Sequence, residues 1–388
     1  MPDGREPLIA RTLTSIRGLA AADWDASAGA DNPFVAHAFL AALEESGSAT
    51  AETGWAPAHA VIEDANGAVL ACAPFYAKSH SYGEYVFDHA WADAYTRAGG
   101  RYYPKLLCAV PFTPATGPRL LVPPALARER ADELRAALAA AMIRIAERHG
   151  VSSLHVNFPA EVDAQALEAA GYLSRLGVQY HWTNRGYRDF DDFLAALSSR
   201  KRKAIRKERA AVRDAGVAIS VLTGSDLREA HWDVFYAFYR DTASRKWGGG
   251  YLTRAFFSLL GERMADRVVL VLAEHGGRPV AGALNLLGGD TLYGRHWGCA
   301  ADFRFLHFEA CYYQAIEFAI GRGLARVEAG AQGEHKIQRG YLPEATRSYH
   351  WIANAAFRDL LGRHLARERA AVMAEIAELT EFSPYRRS

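Results

Sequence analysis

A chain of 388 residues exceeds the usual size of one compact domain, which favours two. Hydrophobic residues make up 50% and charged residues 23%, a balance that excludes a disordered or fibrous class. The 45 basic and 44 acidic residues leave a formal charge of +1, so no whole-molecule field recruits an anionic polymer and any such binding is local.

Cys72, Cys108, Cys299 and Cys311 are far apart and form no C-x-x-C pair, so reduced thiols are expected and no metal site. No run of about 18 apolar residues and no leader pattern is present, which places the expected location in the cytoplasm.

Asn32-Pro33 opens a segment to Gly47 in which Phe34, Phe39, Leu40 and Leu43 have helical spacing. Apolar runs at 58–62 and 69–76, parted by Asp64-Ala65-Asn66-Gly67, predict a β-hairpin. Residues 78–124 are dense in Tyr, Trp, His, Pro and Gly without a sustained period, as functional irregular stretches are. A helix is predicted over 124–149, stopped by Gly150, then a strand at 154–158, a short helix at 164–170 and strands over 172–183. The second half starts with a helix at 190–215 and a strand at 217–222, then helices at 227–244 and 254–264. Strands at 268–273, 279–287 and 291–297 are joined by Gly276-Gly277 and Gly288-Gly289-Asp290, which is hairpin chemistry. A helix at 309–322, a strand at 325–329 and a long helix at 353–380 complete the chain.

An antiparallel meander, then a helix, then a strand resembles the GNAT core order. It recurs in weaker form in the first half, which implies an α/β chain of two GNAT-like domains in tandem, 8–184 and 185–388, with mostly antiparallel sheets flanked by helices.

Longer strings carry a more specific resemblance. In the first half these are Asn32-Pro33-Phe34, Pro74-Phe75-Tyr76-Ala77-Lys78-Ser79-His80, Gly83-Glu84-Tyr85-Val86-Phe87-Asp88, Tyr102-Tyr103-Pro104-Lys105 and Val110-Pro111-Phe112-Thr113-Pro114. In the second they are Tyr293-Gly294-Arg295-His296-Trp297-Gly298, Phe308-Glu309-Ala310-Cys311-Tyr312-Tyr313, Glu328-Ala329-Gly330-Ala331-Gln332-Gly333-Glu334-His335-Lys336, Arg339-Gly340-Tyr341 and His350-Trp351. Together they resemble the FemAB-like N-acyltransferases over nearly the whole chain. The resemblance implies transfer of an acyl group to an amine, with no tightly bound cofactor and an activated donor as co-substrate. Acyl-CoA, acyl carrier protein and aminoacyl-tRNA are the open donors, and a small molecule or a peptide amine the acceptor. The R/Q-x-x-G-x-G/A string usual in acetyl-CoA-dependent GNAT enzymes is missing around 299–308.

Acyl transfer to nitrogen requires a deprotonated amine, two reactants held together and donors aimed at the developing oxyanion. No G-x-S-x-G elbow supports serine hydrolase chemistry. Candidate catalytic residues are His296 at a strand end, Glu309 opening a helix, and Glu328 and His335 beside a glycine-punctuated loop. Gln332, Glu334, Lys336 and Arg339 on that loop, with Trp351 near it, are candidate substrate contacts; a core histidine and a solvated hairpin are the structural alternatives. In the irregular stretch His80, Glu84, Asp88, Tyr103 and Lys105 are substrate candidates, with plain packing as the alternative. Arg200, Lys201, Arg202, Lys203 and Arg206 form a candidate anion-binding cluster, or else a solvated face. These groups are expected to meet in a cleft between the domains. A non-catalytic protein of the same fold, holding an anion or a partner, is the competing reading.

Overall fold

The computed structural model describes residues 7–247, 249–330 and 333–386. Contacts divide the chain into two compact units, one ending at 177 and regaining 346–372, the other formed by 178–345 and the stretch from 373 onward.

The elements run β1 (Ile9–Leu13), α1 (Ala21–Ala28), α2 (His37–Glu45), β2 (Trp55–Pro57), β3 (His59–Glu63), β4 (Val69–Ala73), β5 (Phe75–Lys78), α3 (His89–Arg97), β6 (Lys105–Cys108), α4 (Arg128–Arg148), β7 (Ser153–Asn157), α5 (Glu161–Ala169) and β8 (Leu173–Thr183). They continue as α6 (Phe190–Ala196), α7 (Ser199–Asp214), β9 (Val217–Leu222), α8 (Glu229–Trp247), α9 (Arg254–Met264), β10 (Val268–His275), β11 (Arg278–Leu287), β12 (Thr291–Cys299), α10 (Leu306–Phe308), α11 (Gln314–Gly321), β13 (Arg326–Glu328), β14 (Leu342–Ile352) and α12 (Ala355–Glu381). The chain leaves the first unit within β8, returns within β14 and leaves again within α12.

In the first unit β1, β3 and β4 form an antiparallel sheet. The predicted hairpin is β3–β4, and its turn is held by Asp64 Oδ1, which accepts from the Asn66 N–H at 2.9 Å and the Ala68 N–H at 2.8 Å. A second set pairs β2–β5–β6–β7–β14, antiparallel except for β6 with β7. Leu134, Leu138, Met142 and Ile145 recur at helical spacing on α4 and enter one core with Leu154, Val156 and Trp351. The irregular stretch contains α3 and β6, and the polar start contains β1 and α1. None of these four carries a run long enough to register as a period.

In the second unit β9–β10–β11–β12 is an antiparallel meander. β13 joins β12 in parallel and the end of β8 antiparallel. β10 reads Val-Val-Leu-Val-Leu-Ala over its buried length, as a strand covered on both faces should. The predicted helix at 190–215 is two helices. Leu197 is extended between them, with its side chain in the core, and bridges Tyr385. No helix among the described residues is long and apolar enough to cross a membrane.

Candidate functional site

In the second unit β12 and β13 are paired only from Thr291 with Arg326 to Tyr293 with Glu328. β12 then runs on to Cys299 beside β11, with Arg295 the extra residue of a bulge. The chain after Glu328 stays instead with β8, the Ala329 N–H donating to the Tyr180 carbonyl at 3.1 Å. The two parallel strands therefore part at Gly294, where an added Cβ would lie 3.3 Å from the Glu328 carbonyl oxygen.

Glu328 is buried at this fork, its Oε2 3.9 Å from His181 Nε2 on β8. Burial holds His181 neutral, with a pKa near 3. Lys336, buried close by in sequence, donates to the carbonyls of Ala329 and of Gly330, the latter at 3.1 Å, so it clamps the loop that follows β13. Burial lowers its pKa to about 8. His335 is exposed, accepts or donates at 3.1 Å with the Tyr312 hydroxyl, and has a pKa lowered first by burial and then by Arg339. Glu334 is exposed, and Gln332 lies outside the described residues.

Other predicted residues of this unit are engaged internally. Glu309 receives a bidentate Arg209 at 3.0 to 3.2 Å and the Gln314 amide at 2.7 Å, so both its oxygens anchor helices. Arg339 is buried against Glu208 at 2.8 and 3.0 Å and stacks on Phe308. His296 packs edge-on against Tyr239, with its pKa lowered by burial to about 3. Helix α7 has two roles by face. Lys201 bonds Gln338 and Glu208 holds Arg339, whereas Arg200, Lys203 and Lys207 are exposed, as is Arg206, which pairs with Asp191 at 2.8 Å. Arg202 is partly buried.

In the first unit Lys105 is fully buried and spends its three donors inside the chain, on Ser81 Oγ at 2.7 Å, Glu84 Oε2 at 2.9 Å and Asp88 Oδ2. It is thus placed as the anchor of the 81–88 loop and has no donor left for a ligand, contrary to expectation. Asp88 also accepts from the Tyr102 hydroxyl at 2.7 Å, and Ser81 bonds the Tyr103 hydroxyl at 2.8 Å. His155 lies 3.7 Å from Asp88 and meets His350 Nδ1 to Nδ1 at 2.7 Å, a pair that shares one proton and is held uncharged by burial. Burial opposes ionisation of Asp88, yet the Lys105 ammonium holds it below the usual carboxylate range. Burial dominates at Glu84, raising it to about 7 against the pull of Lys105. Lys78, buried over the Trp55 ring at 3.7 Å, is lowered by burial to about 7. His80 is half-buried beside Tyr82. Trp351 belongs to the apolar core of this unit and is 7% exposed.

Sequence reasoning missed Lys78, Ser81, Tyr102, His155, Asn157, His181 and Arg209. One signal was present: Leu154-His155-Val156-Asn157-Phe158 alternates apolar and polar on a strand that is buried throughout, which means a polar face turned inward.

Among solved structures, FemX is 13% identical over 89% of this chain and 98% of that one, with a TM-score of 0.54. L-PGS from Bacillus licheniformis is 10% identical over 87% and 98%, with a TM-score of 0.51. The C-terminal domain of a putative lysylphosphatidylglycerol synthetase from Agrobacterium fabrum is 9% identical over 89% and 94%, also at 0.51. At these identities the likeness establishes the fold, two GNAT-like domains in tandem. No curated protein matches the chain. The profile of one family, described as peptidoglycan biosynthesis/recognition, matches residues 15–387, and the chain therefore belongs to the FemAB-like family.

Proposed function

We propose that the protein transfers an acyl or aminoacyl group from an activated donor to an amine. The observation that carries this reading is the fork at Gly294. There β12 and β13 hold their parallel register as far as Tyr293 with Glu328 and then part, and Glu328 is buried at the parting. Backbone amides where two parallel strands part can hold an acyl carbonyl and stabilise its oxyanion. The amine nitrogen attacks the acyl carbon and a C–N bond forms, the carrier's sulfur or oxygen leaves with the electron pair of the broken bond, and Glu328 takes the proton that the nitrogen loses and passes it to that leaving atom.

The donors in question, acyl-CoA, acyl carrier protein and aminoacyl-tRNA, all carry phosphate. The exposed Arg200, Lys203, Arg206 and Lys207 of α7 supply cations for it. An aminoacyl donor is favoured by the names of the structures that share the fold, and a peptide amine by the family description. The same basic face favours the competing reading, an anion-binding protein without turnover.

Incubation with each donor class and a peptide amine, read by mass spectrometry of the acceptor, tests the proposal. Acylated acceptor with wild type and its loss in Glu328→Gln support it. A donor that binds and is never consumed supports the competing reading.

A further inference from the structure

The buried cluster of the first unit contains oxygens that its own chain does not satisfy. Lys105 takes one oxygen each of Glu84 and Asp88, while Glu84 Oε1, Asp88 Oδ1 and Asn157 Oδ1 are buried without a hydrogen-bond partner. Asn157 is tied to this place by its amide, which donates to the Glu84 carbonyl at 3.4 Å. All three side chains are at least nine-tenths buried. Leaving buried acceptors unpaired costs about 1–3 kcal/mol each, so the arrangement calls for donors from outside the chain.

Charge narrows the class of ligand. Above about pH 7, where Glu84 is ionised and the buried Lys78 beside it has lost its proton, two carboxylates face the one ammonium of Lys105 and leave the cluster with one excess negative charge. Among the described residues no group of His, Cys, Asp and Glu is arranged to hold a metal ion. Lys105, already between the carboxylates, would repel a divalent cation strongly. A primary ammonium brings a single charge and three N–H donors, the number of acceptors that stand open. The 81–88 loop that Lys105 anchors also presents Tyr82 and Phe87, 61% and 66% exposed, to solvent.

We propose that the first unit holds a binding site for a protonated primary amine, whose nitrogen donates to Glu84, Asp88 and Asn157. An ammonium so held has no lone pair and cannot be the nucleophile of the transfer. The site therefore recognises an amino group that does not react, and it does not depend on the activity proposed above. The charged and titratable groups facing Glu84 are Lys105, Asp88, Lys78, Tyr102 and Tyr103; His155 and His350 stand by Asp88, and Arg175 by those histidines. Ionisation of Glu84 strengthens the site, so affinity rises with pH through about 7.

Calorimetric titration of the whole chain with n-butylamine tests this, with tetramethylammonium, which has the charge and no N–H, as the control. Butylamine should bind, tetramethylammonium should not, and Asn157→Ala should weaken butylamine by about tenfold, the equivalent of one lost hydrogen bond. Glu84→Gln should weaken it further and abolish the rise with pH. Should that variant fail to fold, Asn157→Ala and the pH series in wild type decide alone. Absence of butylamine binding, equal binding of the two cations, or wild-type affinity in Asn157→Ala would mean that water alone occupies these acceptors, and would overturn the proposal.

Discussion

A parallel strand pair sits in each unit, β6 with β7 and β12 with β13, and the two pairs end differently. After Cys108 ends β6, residues 115–119 take its place beside β7. Gly117 bridges Pro159 in parallel, its N–H donating to the Phe158 carbonyl at 3.1 Å. The buried Arg119 guanidinium then donates to the carbonyls of Ala115, Gly117, Pro118 and Asn157 at 2.7 to 3.1 Å. In the second unit nothing equivalent follows Tyr293 among the described residues, and β12 simply parts from β13 at Gly294. The fork is thus bridged by the chain's own backbone in the first unit, and no equivalent bridge is present in the second among the described residues. The lesson is that a shared topology does not make two equivalent sites, and the function proposed above assigns the donor to the second.

The sharpest test of that assignment is Glu328→Gln, which keeps the shape of the side chain and removes its basicity. We expect kcat to fall on the order of 100-fold or more with thermal stability kept, read from steady-state transfer assays. Unchanged kcat would remove Glu328 as the proton acceptor and leave the fork without a base.

Arg119→Met should have the next largest effect, and on stability alone. Four carbonyls, three of them in buried contacts, would lose a charged donor, which we expect to cost about 3 kcal/mol and to lower the midpoint of thermal unfolding by roughly 6–12 °C. A variant as stable as wild type would show that the plug is incidental to the first unit.

Much of this architecture is legible in the residues, and the limits are physical. The β10–β11–β12 meander announces itself by long apolar runs and glycine turns, and α4 by its spacing. The short strands β2 and β6 owe their place to neighbours distant in sequence, which no local pattern records. The return of residues 346–372 to the first unit has no local signature either. Candidate site residues could be found by type but not sorted by use. Lys105 and Lys78 both stand in the polar stretch, and only burial and partners reveal that one is saturated by Glu84, Asp88 and Ser81 while the other is not. Glu309 likewise reads as a base until Arg209, a hundred residues earlier, takes both its oxygens.

Gly294→Val sharpens the comparison by imitating in the second unit the filling seen in the first. Valine suits a strand, and the added branch would press on the Glu328 carbonyl, the nearest atom to the new Cβ. We expect the donor KM to rise about tenfold with little change in unfolding temperature, an effect of about 1.4 kcal/mol on binding alone. Equal loss in kcat and KM with a lower melting point would point instead to disruption of β12.

The smallest effect concerns the floor of the same fork. His181, opposite Glu328 in the β8–β13 register, is 6% exposed and has a pKa lowered by burial to about 3. Its unfolded form titrates near pH 6.5, so between 6.5 and 3 the unfolded chain binds the extra proton. Stability from this group is therefore complete above pH 6.5 and is lost as pH falls, by about 1 kcal/mol per pH unit. His181→Gln keeps a polar group within reach of Gln179, now 3.2 Å from the ring nitrogen, and cannot be protonated in this range. Urea midpoints measured at pH 7.5 and 5.5 should drop less in the variant than in wild type. Identical drops would mean that the imidazole takes up its proton in the folded state, which a closed floor beneath Glu328 does not allow.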